Sequence, residues 1–131
     1  MKHPITPDYI KELQEHEVFV FGSNLRGIHA GGAANVAMKW GAEWGNGEGL
    51  QGQTYALPTM FQTVEELVPH VNKFIAFAKA NPDKQFLLTP IGCGIAGFSS
   101  EEVAPLFKQV LADGLRNISL PEAFIAILKR K

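Results

Sequence analysis

Residues 17–35 read Glu17-Val-Phe-Val-Phe-Gly-Ser-Asn-Leu-Arg-Gly-Ile-His-Ala-Gly-Gly-Ala-Ala-Asn35. The apolar run 18–21 is typical of a strand that is buried on both faces. It stops at Gly22-Ser23-Asn24, residue types that favour tight turns. A helical pattern begins at Gly31-Gly32, and we expect it to extend to about residue 44. Its apolar face would hold Ala33, Ala37, Trp40 and Trp44. The segment therefore predicts a strand, a glycine-rich loop and a helix.

This order favours an anion site at the glycine-rich loop. Free backbone N–H groups and the positive end of a helix dipole would point at one place, which suits a phosphate. Gly31 and Gly32 would let a ligand approach closely, because neither residue carries a Cβ atom. Glycines after a strand are also ordinary turn residues, and this alternative stays open. Neither G-x-G-x-x-G nor G-x-x-x-x-G-K-[ST] is present, so a Rossmann site and a P-loop are not supported.

Composition and charge narrow the class of protein. The chain has 131 residues, 46% hydrophobic and 19% charged, which predicts one globular domain over residues 1–131. A formal net charge of −1 provides no field that would attract nucleic acid or an anionic membrane. A single cysteine, Cys93, excludes an internal disulfide framework. Because no signal-like or membrane-spanning apolar run is present, a cytoplasmic location is expected.

The remaining elements follow from periodicity and capping signals. Prolines and helical spacing near the start predict a short helix from about Asp8, and residues 45–49 are predicted to be a mobile loop. Pro69 should bend or split the helix in which it lies. Further strands are predicted at 54–58, 85–91 and 117–120, and further helices after the capping boxes Thr63–Glu66 and Ser99–Glu102 and from Pro121 to about Leu128.

Alternating strands and amphipathic helices predict an α/β fold. We expect a three-layer sandwich with a mostly parallel sheet in which strands 18–21, 54–58 and 86–90 are central. Ligands of such sheets bind beyond the carboxyl ends of the strands. The loops 22–32 and 92–97 both follow strand ends, so they should open at the same edge. A diphosphate is the natural ligand of two such loops.

Two motifs carry a resemblance to the macrodomain family of ADP-ribose-binding modules. Val18-Phe-Val-Phe-Gly-Ser-Asn24 followed by Gly31-Gly32-Ala-Ala34 resembles the strand and Gly-Gly loop that surround the distal ribose. Thr89-Pro-Ile-Gly-Cys-Gly-Ile-Ala-Gly-Phe98 with Ser99-Ser-Glu-Glu-Val-Ala-Pro105 is similar to the diphosphate loop and the acidic helix start that follows it. The resemblance covers about residues 17–112. The Gly-Asp-Ile-Thr segment whose aspartate contacts adenine has no counterpart, since Asp8 lies too far upstream.

The resemblance implies a macrodomain-like fold and a set of site residues. Asn24 and His29 are the candidate catalytic residues, Asn24 by orienting the distal ribose or a water and His29 as a general acid or base. Candidate ligand-binding residues are Gly22, Ser23, Asn24, Gly31, Gly32, Gly92, Cys93, Gly94, Ile95, Ala96, Gly97 and Phe98.

Each of these residues also has a structural interpretation. Asn24 can be a turn residue and His29 an exposed loop residue, whereas Cys93 can be a small residue that fits its loop. Phe98 can stack on a ligand or pack in the core. Trp40 and Trp44 are interpreted as packing residues. Glu43 and Glu48 are single carboxylates without a second carboxylate at a suitable spacing, so a two-carboxylate hydrolase is not supported. The four histidines and the cysteine show no metal-ligand spacing.

Three functional hypotheses remain from the sequence. The first is recognition of ADP-ribose or a related nucleotide diphosphate, with hydrolysis of an ADP-ribosyl or phosphate ester. The second is a non-enzymatic reader with the same pocket, and the third is a structural or interaction module whose glycines are only turns. The expected partners are ADP-ribose and an ADP-ribosylated macromolecule, with no cofactor, no metal and no membrane.

Overall fold

A computed structural model describes residues 2–29, 31–94 and 96–130. Five strands form one sheet in the order β2-β3-β1-β4-β5. Their bounds are β1 Glu17–Ser23, β2 Gly49–Gln51, β3 Thr54–Pro58, β4 Gln85–Leu88 and β5 Ile118–Ser119. β1 pairs parallel with β3 and β4, and β4 pairs parallel with β5, whereas β2 pairs antiparallel with β3. The predicted α/β class, the mostly parallel sheet and the central position of β1, β3 and β4 are therefore confirmed.

The central strand β1 is buried on both faces because successive side chains alternate between two apolar clusters. Val18 and Val20 belong to the larger cluster, to which the helices after β3, β4 and β5 contribute. Phe19 and Phe21 belong to a smaller cluster with Ala34 and Ala37 of the first helix, and their rings lie 6.4 Å apart. The sheet is thus packed on both faces, as the continuous apolar run predicts.

The helices are shorter and more often interrupted than their sequence patterns predict. Their bounds are α1 Gly32–Ala37, α2 Val68–Lys79, α3 Ser100–Val103, α4 Lys108–Ala112 and α5 Glu122–Leu128. 3₁₀ turns at Met38–Trp40, Val64–Leu67 and Ala104–Phe107 adjoin α1, α2 and α3. Pro69 and Pro105 lie where the helix changes between 3₁₀ and α geometry. Each proline removes a helical N–H and crowds the preceding turn, so the α-helix is interrupted there. The predicted capping boxes at Thr63–Glu66 and Ser99–Glu102 are both present.

The first helix ends before the residue that the pattern predicted. Gly41 stops it with a φ of +110°, and a Cβ atom at Gly41 would lie 2.9 Å from the Cα atom of Gly52. Trp40 still packs on Phe19, with ring centroids 5.0 Å apart. Trp44 lies outside the helix and is 60% exposed, so its interpretation as a packing residue is wrong.

The N-terminal segment forms no helix at residues 8–16, so that prediction is wrong. Ile5 makes an isolated parallel bridge to Leu120, and the backbone N–H of Thr6 donates to the Leu120 carbonyl at 2.8 Å. Pro4 and Pro7 favour extended backbone in the residues before them, which suits this pairing. Ile10 and Leu13 contact the smaller apolar cluster from this segment.

Strand β2 was absent from the sequence prediction because three residues are too few to show an alternating pattern. No helix within the described residues is long and apolar enough to span a bilayer.

Candidate functional site

Three parallel strands end at one edge of the sheet and place their loops around a single cleft. β1 ends at Ser23, β3 at Pro58 and β4 at Leu88. The cleft beyond these ends has a volume of about 350 Å³. It is lined by Gly22, Ser23, Asn24, Ile28, Gly31, Gly32, Ala33, Ala34, Thr59, Met60, Thr89, Pro90, Ile91, Gly92, Gly94 and Ala96. The structure therefore brings the two predicted glycine-rich loops together.

The loop after β4 owes its shape to two glycines with left-handed backbone. Gly92 and Gly97 have φ values of +76° and +82°. The loop closes where the N–H of Phe98 donates to the Gly92 carbonyl at 2.8 Å and the N–H of Gly97 donates to the Gly94 carbonyl at 3.0 Å. These turns leave the backbone beside Gly94 facing the cleft, where a Cβ atom would meet nothing within 4 Å.

Backbone N–H groups are the main polar donors of this loop. In the described part of the chain, those of Gly92, Gly94 and Ala96 have no hydrogen-bond acceptor. All three residues line the cleft. Successive N–H groups of a turn that face one space form an anion-binding concavity. Ile95, a further predicted ligand-binding residue, lies outside the described residues.

The loop after β1 is held by the side chain of Asn24. Its Nδ2 donates to the Ile28 carbonyl at 3.0 Å, and its Oδ1 accepts from the Ile28 N–H at 3.0 Å. These two bonds close a five-residue turn, and Gly27 completes it with a φ of +71°. Each Asn24 amide atom keeps capacity for a second hydrogen bond toward a ligand. Asn24 is therefore both a turn residue and a cleft residue.

A second segment, residues 43–49, supports this loop from behind. Ser23 Oγ donates to the Gly47 carbonyl at 2.5 Å, so this buried hydroxyl is already engaged. The N–H of Gly45 donates to the Gly27 carbonyl at 2.8 Å. Gly47 packs so closely on the backbone of Asn24 that a Cβ atom would clash with the Asn24 carbonyl. Residues 45–49, which the sequence predicts to be a loop, therefore belong to a segment that packs its backbone against the backbone of the loop after β1.

Glu48 lies in this support and has two basic partners, neither of them the second carboxylate that a two-carboxylate hydrolase would need. His70 Nδ1 lies 2.6 Å from Glu48 Oε2, and Lys73 Nζ lies 3.5 Å from Glu48 Oε1. Phe61 stacks on the His70 ring with centroids 5.2 Å apart. Burial raises the pKa of the nearby Tyr55 hydroxyl to about 12, and the Glu48 carboxylate adds to that rise. None of these side chains lines the cleft.

His29 does not lie in the cleft. It is only 1% exposed, its Nε2 lies 3.1 Å from the Asn46 carbonyl, and its ring meets Phe21 edge-on at 5.2 Å. Nδ1 has no hydrogen-bond partner among the residues that the structure describes. A histidine enclosed in this way packs between the loop and its support, and it has no access to a cleft ligand.

Three other predicted ligand-binding residues also lie off the cleft lining: Cys93, Gly97 and Phe98. Phe98 is half-buried and packs against the larger apolar cluster. Cys93 Sγ lies 3.4 Å from the Ile91 carbonyl and 3.7 Å from Ser100 Oγ. Burial raises the pKa of the Cys93 thiol, the Ser100 hydroxyl opposes this effect, and Glu102 adds to it. A raised pKa does not favour a nucleophilic thiolate.

The cleft lining includes no Asp, Glu, Lys, Arg, His or Cys among the described residues. The polar groups of the cleft lining are hydroxyls, the Asn24 amide and backbone N–H groups. Such a surface can bind an anion through fixed dipoles, but it contains no side chain suited to general acid–base catalysis near neutral pH. In the same described ranges, no group of three His, Cys, Asp or Glu side chains could hold a metal ion.

An apolar cavity of about 290 Å³ adjoins the cleft and shares Ala33, Thr89 and Pro90 with it. Its other lining residues are Thr6, Pro7, Asp8, Tyr9, Ile10, Phe19, Val36 and Pro121. Thr6 is 4% exposed, and its Oγ1 has no hydrogen-bond partner in the described ranges. An unpaired hydroxyl in an apolar wall is costly unless a ligand or water satisfies it.

Sequence reasoning missed this cavity, and it missed part of the cleft as well. Asp8 was set aside because of its distance along the chain, yet the pairing of Ile5 with Leu120 brings it to the cavity wall. Thr59 and Met60 follow the carboxyl end of β3. They could have been found from the sequence, because ligands of parallel sheets bind beyond the carboxyl ends of the strands and β3 is one of these strands.

No model of a known protein family matches this chain, and no curated protein and no solved structure matches it either.

Proposed function

We propose that this chain is a macrodomain-like module that binds ADP-ribose or a related nucleotide diphosphate in the cleft. The observation that carries the proposal is that Gly92, Gly94 and Ala96 line the cleft together with Gly31 and Gly32, and that the backbone N–H groups of the first three have no acceptor within the described residues. A diphosphate offers several charged acceptors, and hydrogen bonds to charged groups contribute about 1.5–3 kcal/mol each. Neutral dipoles alone can therefore hold it.

The ribose side of the ligand would lie against the other loop. Gly31 and Gly32 line the cleft, and a Cβ atom at either residue would meet nothing within 4 Å. This open glycine surface permits close approach of a sugar ring. Asn24, fixed by its two bonds to Ile28, can use its remaining hydrogen-bond capacity on a ribose hydroxyl.

The adjoining cavity supplies a place for the base. Its walls are formed largely by proline, aliphatic and aromatic side chains, which suit the flat apolar faces of a nucleobase. The unpaired Thr6 hydroxyl can donate to or accept from the base edge. The cleft and cavity share lining residues, so one extended ligand can occupy both.

The character of the lining favours a reader over a hydrolase. Hydrolysis in this cleft would have to rely on a positioned water and on Asn24, because the buried His29 does not reach the lining. Binding needs only the dipoles that are present. We therefore place recognition of ADP-ribose, free or attached to a macromolecule, first, and turnover second.

Isothermal titration calorimetry with ADP-ribose tests the proposal, with ADP, ribose 5-phosphate and pyrophosphate as partial ligands. Since the cleft and the cavity share lining residues and one ligand would use both, ADP-ribose should bind at least tenfold more tightly than any of these fragments. Lack of heat with every nucleotide diphosphate would refute the binding function and leave the structural-module hypothesis. Incubation with an ADP-ribosylated protein then separates reader from hydrolase, because only a hydrolase releases free ADP-ribose.

A further inference from the structure

A second concave surface lies at the opposite end of the sheet from the cleft. It is lined by His3, Lys108, Leu111, Ala112, Gly114, Arg116, Leu128 and Lys129, with a volume of about 740 Å³. Gly114 and Arg116 precede the amino end of β5, and Leu128 and Lys129 end α5, which returns from the carboxyl end of β5. Since β5 runs parallel to β4, this basic groove and the cleft lie at opposite edges.

The groove is cationic although the chain as a whole is not. Lys108, Arg116 and Lys129 are exposed, and none forms an ion pair within the described residues. The chain has 12 Lys and Arg against 13 Asp and Glu, so this local excess of cations is balanced elsewhere. Exposed charges of one sign around a concave surface attract a partner of opposite charge.

Neighbouring acidic residues are directed away from the groove. Asp113 accepts from Gln109 Nε2 at 3.1 Å and lies 3.9 Å from Lys79 Nζ, on the side of α2. Glu101 pairs with Arg130 through two contacts of 2.8 and 2.9 Å. Within the described ranges, Lys108, Arg116 and Lys129 therefore form no ion pair with a carboxylate, and an acidic partner would supply one.

The floor of the groove is apolar. Leu111 and Ala112 lie three and four residues after Lys108, so all three share one face of α4. Leu128 reaches the same floor from the end of α5 and is half-buried. A cationic rim above an aliphatic floor complements a segment that presents an apolar side chain between carboxylates.

We propose that this basic groove docks an acidic amphipathic segment of a partner protein. Nucleic acid fits the groove less well, because the lining includes no Phe, Tyr or Trp on which a base could stack. Docking here leaves the cleft open, since the two surfaces lie at opposite edges of the sheet. The partner would thus be held independently of any ligand in the cleft.

The test is fluorescence anisotropy with a labelled probe peptide of glutamates and leucines, the leucines spaced three and four residues apart. Lys108→Glu combined with Lys129→Glu should weaken binding of this probe about tenfold or more. Reversing the charge at both exposed positions removes the attraction between the groove and the acidic probe and adds repulsion. Lys11→Glu, on the α1 side of the sheet, is the control for net charge and should leave the affinity unchanged.

Two further probes make the result decisive. The same peptide with lysines in place of glutamates should not bind, and saturating ADP-ribose should not change the affinity of the glutamate peptide. The proposal is overturned if the double reversal binds the probe like the parent, or if Lys11→Glu weakens binding equally. It is also overturned if a single-stranded oligonucleotide displaces the probe at a lower concentration than unlabelled peptide does. Circular dichroism of each variant checks that the fold is retained.

Discussion

Replacing Gly94 by valine should abolish binding of ADP-ribose without lowering the stability of the fold. Gly94 is exposed, lines the cleft, and has open space where a Cβ atom would be added. Among the described residues of this loop, positive φ values occur at Gly92 and Gly97 and not at Gly94. Valine at position 94 would therefore not strain a left-handed backbone. The steric conflict with the diphosphate is the reason that remains.

The size of the effect follows from the donors that the valine would cover. Among the described residues of the loop, Gly92, Gly94 and Ala96 have backbone N–H groups without an acceptor. Loss of two charge-assisted hydrogen bonds costs about 3–6 kcal/mol, which weakens binding by a factor of more than about 100. A surface substitution into open space changes the free energy of unfolding by only about 0.5 kcal/mol. Binding and stability should thus separate cleanly.

Calorimetric titration with ADP-ribose and thermal unfolding of the free protein measure the two quantities. Gly114→Ala is the matched control, because Gly114 has a φ of +60°, an added Cβ atom would meet nothing within 4 Å, and the residue lies outside the cleft lining. Backbone strain of about 1–3 kcal/mol should lower its Tm by roughly 5 °C while binding stays intact. If Gly94→Val binds ADP-ribose like the parent, the proposed role of the loop is wrong. A loss of affinity in Gly114→Ala as large as that in Gly94→Val would show that both respond to stability alone.

Three further outcomes are expected. Thr6→Val removes the unpaired hydroxyl at nearly constant shape, so ADP-ribose affinity should fall about tenfold while ribose 5-phosphate affinity stays constant in the same titrations. Tyr55 is neutral when folded, and its pKa of about 12 exceeds the ordinary value of 10, so stability is lost as pH rises from 10 to 12. Thermal unfolding of Tyr55→Phe should therefore show a smaller decline in Tm than that of the parent over this range. Asn24→Ala should lower both the Tm and the ADP-ribose affinity, because the turn to Ile28 loses both side-chain bonds. If the protein is a hydrolase, single-turnover rates on an ADP-ribosylated protein should fall by about 10²-fold for Asn24→Ala and far less for a conservative change at His29. Equal rates for the parent and Asn24→Ala would exclude a catalytic role for Asn24.

Local patterns were sufficient for the central elements and for much of the cleft. The apolar run 18–21 forms the middle strand because successive side chains point to opposite faces of the sheet and all four are apolar, so both faces can be buried. Because both loops follow the carboxyl ends of parallel strands, the sequence predicts that loops 22–32 and 92–97 lie at one edge of the sheet. Eight of the described candidate residues line the cleft at that edge. Each of these inferences depends on neighbours in sequence or on the direction of a parallel strand.

The sequence predictions are wrong where contacts between segments that are distant along the chain decide the local structure. His29 looked like an accessible loop residue, yet residues 43–49 cover it, and no local signal shows which loop will pack on another. The N-terminal segment has helical spacing at Ile10 and Leu13, but residues 8–16 form no helix, and these two side chains pack on the smaller apolar cluster. A short isolated helix has only marginal stability, so contacts with the sheet decide the conformation of this segment.

The sequence by itself determined the α/β class, the central parallel strands and the glycine loops that face one edge. Periodicity and turn chemistry act over a few residues, so they can be recognised without the fold. Only the tertiary structure decided which polar groups are free, which are engaged and which are enclosed. The Ser23 hydroxyl donates to the Gly47 carbonyl, whereas the Thr6 hydroxyl, in the cavity beside the cleft, has no partner among the residues that the structure describes. Hydrogen-bond satisfaction depends on every segment that packs around an atom, and for this protein those segments are distant along the chain.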